Sequence, residues 1–113
     1  MQANRARGAW GEALVAAWYE VRNFEVVARN WRCRSGELDL VLRRRDLVVF
    51  CEVKARRSGA YGTGVEAVTA LKRRRLRRLA AAWLAAASCG PVEVRFDVAA
   101  VDGARVTVVE AAF

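Results

Sequence analysis

A chain of 113 residues with 55% apolar composition can pack one domain around a real core, and nothing in it marks a second domain. Its net charge of +8 points to a polyanionic partner, either nucleic acid or an anionic surface. Histidine is absent, and the three cysteines, Cys33, Cys51 and Cys89, are scattered; this excludes an ordinary zinc site and a disulfide framework, so any metal must sit on carboxylates, which selects Mg2+ or Mn2+.

The first helix is expected over residues 6–21, with Trp10, Leu14, Ala17 and Val21 at helical spacing and Asn23 suited to a left-handed cap. A short strand over 24–28 and a polar turn over 29–36 follow. Residues 37–43 alternate Leu38, Leu40 and Leu42 against Glu37, Asp39 and Val41, the period of a strand. Arg44-Arg45-Asp46 is a turn. Leu47 to Val53 is an unbroken β-prone run, as a strand buried on both faces requires. Ser58 to Gly64, with three glycines, reads as a loop.

A second helix is expected from Val65 or Thr69 to Ala87. Thr63 with Glu66 has capping-box spacing, and Thr69 competes as N-cap. Val68, Leu71, Leu76, Leu79 and Trp83 form its apolar stripe, and Gly90-Pro91 stops it. Residues 92–101 and 105–109 read as two strands joined at Asp102-Gly103, a hairpin signal. The order α-β-β-β-α-β-β describes a mixed α/β fold over 1–113. The N-terminus lacks a signal-peptide core and the run 79–88 is too short to span a bilayer, so a cytoplasmic protein without membrane contact is expected.

Glu12, Asp39, Glu52 and Lys54 stand out because Asp39 and Glu52 interrupt apolar strands. Period-two alternation puts Glu52 and Lys54 on one face. If Arg45-Asp46 is a two-residue loop, Arg44 faces Leu47, and counting outward sets Asp39 opposite Glu52. Their Cβ atoms would then be roughly 4.5–5.5 Å apart, within reach of one bridging cation. A one-residue slip would separate them. Such a cation would relieve the repulsion of the pair and polarise a phosphoryl oxygen, with Lys54 orienting water or stabilising developing charge. Strand carboxylates paired with neighbouring arginines would show the same spacing.

The ordered segments Gly11-Glu12, Arg29-Asn30-Trp31-Arg32, Gly36-Glu37-Leu38-Asp39-Leu40, Phe50-Cys51-Glu52-Val53-Lys54-Ala55-Arg56, Glu66-Ala67-Val68-Thr69 with Lys72, and Arg95-Phe96-Asp97-Val98 resemble the YraN-type family of predicted endonucleases. The resemblance implies a restriction-endonuclease-like mixed sheet flanked by helices, related to archaeal Holliday-junction resolvases within the PD-(D/E)xK superfamily. It assigns the second-strand acid to Asp39, the E-x-K to Glu52 and Lys54, and the helical glutamate to Glu12, which would complete the metal shell. Leu38 stands where the superfamily often has proline, and Asn23 where relatives often have glycine. By analogy with the resolvases, a homodimer is expected.

Lys72, Arg73, Arg74, Arg75, Arg77 and Arg78 ring the second helix. Of these, Lys72, Arg73 and Arg75 are candidates for phosphate contact, with Arg43, Arg44 and Arg45 and the pair Arg56-Arg57 flanking the proposed site. Tyr61 is a candidate for stacking on a base. A solvated helix face and a plain connector are the competing readings. Glu37 is expected to pair with Lys54 or Arg56, Asp97 to order a strand neighbour, and Trp10, Trp18, Trp31 and Trp83 to be core.

The leading expectation is a Mg2+- or Mn2+-dependent endonuclease acting on DNA, including branched DNA. The alternatives are a non-catalytic nucleic-acid-binding module on the same fold and an RNA- or ribosome-associated basic protein.

Overall fold

A computed structural model describes residues 2–56 and 68–113, with side chains from residue 8 onward except that of residue 56. The elements follow the expected order: α1 (Gln2–Glu20), β1 (Glu25–Cys33), β2 (Gly36–Arg44), β3 (Leu47–Arg56), α2 (Ala70–Ala87), β4 (Glu93–Asp102) and β5 (Arg105–Val109). The five strands form one mixed sheet in the order β1-β2-β3-β4-β5. Neighbours are antiparallel except β3 and β4, which run parallel and are connected through α2. A parallel pair needs such a crossover, because a tight turn cannot reverse the chain twice.

Alternation along β3 explains why the run Leu47–Val53 carries no polar face. Val48 and Phe50 join the cluster with Leu76, Leu79, Ala80 and Trp83 of α2. Val49 and Cys51 join the opposite cluster with Val15 and Tyr19 of α1. The strand is apolar on both sides because a helix covers each side.

The face that α1 buries differs from the expected one. Trp10 is 59% exposed and Val21 76% exposed. The buried positions are Gly11, Val15, Ala16 and Tyr19. The reason is close approach: a Cβ on Gly11 would lie 3.2 Å from Ala55 Cβ and 3.7 Å from Val101 Cγ2. The smallest residue of the helix marks its tightest contact, so a search for bulky periodicity selects the wrong face.

β1 extends through the polar segment expected to be a turn; only Arg34 and Ser35 turn. Trp31 and Cys33 pack towards the α2-side cluster while Arg29, Asn30 and Arg32 are exposed, the profile of an edge strand. A bulge between Val26 and Ala28 and a positive φ of 50° at Asn30 interrupt its regularity.

Thr69 is the N-cap of α2, its side chain accepting from Lys72 N at 3.2 Å; Thr63 and Glu66 lie outside the described residues. Leu71, expected in the stripe, is 62% exposed, and Leu76, Leu79, Ala80 and Trp83 make the contact instead. The helix ends at Ser88, which takes the left-handed conformation ahead of Gly90-Pro91. Asn23 has φ 70°, as expected of the cap after α1. Gly103, with φ 62°, opens the two-residue loop between the paired Asp102 and Arg105, where a primed hairpin turn needs a left-handed residue.

Asp97 orders its surroundings. It is 0% exposed and accepts from Tyr19 Oη at 2.6 Å, Arg95 Nε at 2.9 Å, Arg95 Nη2 at 3.0 Å and Ala111 N at 3.0 Å. One carboxylate thereby ties α1, β4 and the segment after β5 together. Burial, followed by the neighbouring Cys51 and Asp97, pushes the Tyr19 phenol far above its ordinary value and keeps it a donor.

Candidate functional site

The β2–β3 pairing runs from Arg44↔Leu47, across a two-residue loop, to Leu40↔Cys51. One further step in that register sets Asp39 beside Glu52. Ladder pairing stops there, and Asp39 Oδ2 accepts from Val53 N at 2.8 Å instead. The cause is a break in alternation. Leu38 packs in the α2-side cluster and Leu40 in the α1-side cluster, although strict period two would put both on one face. Asp39 sits at that break and turns its carboxyl onto the backbone of β3.

Glu52 is 7% exposed, and its Oε2 is buried without a well-directed hydrogen-bond donor. Two ammonium groups lie against this oxygen: Lys72 Nζ at 2.5 Å and Lys54 Nζ at 3.8 Å. Lys54 arrives from the same strand, two residues on. Lys72 arrives from the first turn of α2, placed there by the Thr69 cap. A lysine at this end of a helix opposes the macrodipole, and α2 has no acid in its first turn, so a partner elsewhere has to hold it.

The two carboxyls are pushed apart in acidity. Burial, then the hydrogen bond and charge of Glu52, push Asp39 up to about 8 against the pull of Val53 N–H. Burial acts upward on Glu52 too, but its hydrogen bond with Asp39 and the ammoniums of Lys72 and Lys54 outweigh it and hold the group below its ordinary value. The metal-free pair is thus biased towards holding a proton on Asp39 and the charge on Glu52. Burial and then the nearby Lys72 lower Lys54.

Glu12 reaches the edge of this group from α1. Burial raises its carboxyl, partly offset by a hydrogen bond with Asn30, and Glu37 and Glu52 add like charge. A polar cavity of about 480 Å³ opens beside it, lined by Gly8, Ala9, Glu12, Asn30, Arg32 and Glu37. Asn30 was not singled out as a site residue from sequence; its positive φ of 50° in mid-strand belongs to the backbone and left no sequence signal. Glu37 pairs with Arg32 Nε at 2.6 Å and not, among the described side chains, with Lys54; the Arg56 side chain lies outside them.

The residues fit a hard divalent cation in part. Asp39 and Glu52 offer adjacent oxygen donors, and the buried, undirected Oε2 of Glu52 faces cations already. No group of three Asp, Glu, His or Cys side chains converges to hold a metal among the described residues, so Glu12 stands off from the pair. Magnesium is commonly held by one or two carboxylates with water completing its shell, which two donors satisfy.

The pattern of UPF0102, described as an uncharacterised protein family, matches residues 11–101. The chain belongs to this family, the YraN family. A UPF0102 protein of Beutenbergia cavernae is 55% identical over 101 residues, covering 89% of this chain and 86% of the relative. One of Nocardia farcinica is 50% identical over 97 residues, covering 86% and 76%. One of Acidothermus cellulolyticus is 42% identical over 126 residues, covering 98% and 96%. The family match takes in Glu12, Asp39, Glu52, Lys54 and Lys72.

The basic residues separate into groups. Lys72 turns inward onto Glu52. Arg73 donates to Val68 O at 3.2 Å, and its guanidinium lies 5.5 Å from the Phe113 ring. Arg75 lines an outward groove with Leu71, Arg74 and Arg78. Arg43, Arg44 and Arg45 do not flank the carboxylates; they stand at the other end of the hairpin, five residues along each strand, roughly 17 Å away. There Arg43 Nε donates to Arg45 O at 2.9 Å and Arg44 Nη1 to Arg22 O at 3.0 Å. Arg57 and Tyr61, and the side chain of Arg56, lie outside the described residues. No helix among the described residues is long and apolar enough to cross a membrane.

Proposed function

We propose that this chain is a Mg2+- or Mn2+-dependent endonuclease that hydrolyses DNA phosphodiester bonds, with branched DNA among the substrates to be tested. The observation that carries the reading is the convergence of Asp39, Glu52 and Lys54 at the irregular end of the β2–β3 pairing, with two ammonium groups set against a buried Glu52 oxygen. A divalent ion held by Asp39 and Glu52 would polarise a phosphoryl oxygen and lower the pKa of attached water. Asp39 must give up its proton to serve, and Val53 N–H fixes the direction of its carboxylate. Lys54, half-buried beside the pair, is placed to hold a water or a phosphate oxygen against the strand. The net charge of +8 supports a polyanionic substrate, and the arginines of α2 extend that surface with backbone contacts that carry no sequence information.

The deciding experiment is a cleavage assay on junction, flap, single-stranded and linear duplex DNA with Mg2+, Mn2+ or chelator. Asp39→Asn is expected to abolish cutting while retaining DNA binding, and Glu52→Gln to abolish cutting. Cutting by Asp39→Asn at the wild-type rate would show that the assigned site is wrong.

A second reading has its own observation. Lys72 and Lys54 already neutralise Glu52 without a metal, as a non-catalytic nucleic-acid-binding module would require. It predicts salt-sensitive binding of DNA or structured RNA with no response to divalent ions.

A further inference from the structure

The first turn of α2 presents an arrangement that helix energetics alone disfavour. Lys72, Arg73, Arg74 and Arg75 crowd the positive end of the helix dipole with no acid among them. Arg73 and Arg75 spread to the surface, but Lys72 does not. Its ammonium enters the carboxylate site and meets Glu52 Oε2, an oxygen sealed from water. Lys54 stands on the same oxygen at 3.8 Å, so two ammonium groups share one buried acceptor and repel each other. At 2.5 Å the contact is a charge-assisted pair, in which the compact ammonium acts chiefly as a point charge.

We propose that Lys72 is a tethered cation that occupies the divalent-ion position on Glu52 in the metal-free protein and is displaced from it when the ion binds. The inference rests on the metal-dependent reading above and adds its regulation. The Lys72 ammonium, 2.5 Å from Glu52 Oε2, takes the close-contact position on that oxygen, and a divalent ion bonded to it at about 2.0–2.1 Å would need the same space. The long, flexible lysine stem lets the ammonium leave without moving the helix. Once released at the N-terminal end of α2, it is free to take a backbone phosphate as its partner.

Two consequences follow. The ion binds weakly to the free protein, since it must first break a charge contact. Nucleic acid favours ion binding by giving the displaced ammonium a phosphate partner, and by reciprocity the ion favours nucleic acid. The site then loads its metal chiefly on substrate.

The test is calorimetric titration of the intact chain with Mn2+ alone, comparing wild type, Lys72→Met and Glu52→Gln. Lys72→Met is expected to bind Mn2+ about 10- to 100-fold more tightly than wild type, equivalent to one charge-assisted contact no longer broken. Equal or weaker binding by Lys72→Met, with binding lost in Glu52→Gln, overturns the role of Lys72 and leaves the metal site standing. No binding by any of the three overturns the metal reading and this inference with it. Lys72→Met removes a partner of a buried carboxylate, so a second measurement uses the wild-type chain. The Lys72 ammonium proton resonance, slowed in exchange by Glu52, is expected to disappear as Mg2+ is added. Its persistence at saturating Mg2+ overturns the proposal.

Discussion

Asp97→Ala tests the energetic reasoning most directly. The wild-type carboxylate is fully buried and has four donors from three parts of the chain. Truncation leaves the Tyr19 hydroxyl buried without its acceptor, and an unsatisfied buried donor costs about 1–3 kcal/mol. It also strips Arg95 of its bidentate partner. Arg95 has a side chain 19% exposed, with Glu110 3.7 Å away, so part of its charge can be rehydrated or re-paired. Breaking a buried pair by removing one partner costs about 3–5 kcal/mol, and partial re-pairing of Arg95 puts this case near the lower end. That is a large fraction of the roughly 5–15 kcal/mol that stabilises a small domain. Urea unfolding is expected to show a lower midpoint at unchanged slope. Tyr19→Phe, which deletes one hydrogen bond to a charged acceptor, should cost about 1.5–3 kcal/mol, and the double variant less than the sum. A loss below about 1 kcal/mol for Asp97→Ala would refute the account of this network as the tie between α1 and the sheet.

Two further predictions concern the site and the packing of α1. In chelator, the raised pKa of Asp39 means that the folded state binds more protons than the unfolded state between its ordinary value of 3.8 and its folded value of about 8. Stability should therefore fall as pH rises through that window, by at most about 1.4 kcal/mol per unit, and level off above it. Urea midpoints at several pH values should show this slope in wild type and a flatter one in Asp39→Asn; equal slopes would sink the assignment of the proton. Gly11→Leu should destabilise by about 1–3 kcal/mol or shift the helix, because even a Cβ would be 3.2 Å from Ala55 Cβ. A thermal scan of that variant showing no loss would mean that α1 does not sit on β3 as closely as described.

The sheet was legible in the sequence wherever local chemistry determines the outcome. The two-residue loop at Arg45-Asp46 set the β2–β3 register, and the apolar residues Leu47 to Cys51 announced a strand covered on both faces. The errors have physical causes. β1 is an edge strand whose exposed polar residues 29, 30 and 32 resemble a loop, while Trp31 and Cys33 carry the inward period through that stretch. On α1 the bulky residues Trp10 and Val21 face outward, and the packing face is built on Gly11, Val15 and Tyr19. A glycine at helical spacing from Val15 and Tyr19 was the available signal, and bulk overrode it. On α2, Lys72 looked like one cation of a ring because the sequence does not show how the helix is rotated over the sheet. Its place in an acid-free first turn was the clue that it has a partner elsewhere.

Asp39, Glu52 and Asp97 are three of the strand acids, and their surroundings divide them by role. Asp97 is enclosed, and its donors satisfy both oxygens, so its charge is fully committed to structure. Asp39 has one backbone donor and a proton to lose. Glu52 has a buried oxygen answered only by positive charge. In a fold that otherwise pairs its buried polar atoms with directed hydrogen bonds, an acceptor left to undirected cations is the atom best suited to an exchangeable ion. By that criterion Glu52 anchors the site, Asp39 joins it on deprotonation, and Asp97, the most deeply buried of the three, belongs to the scaffold.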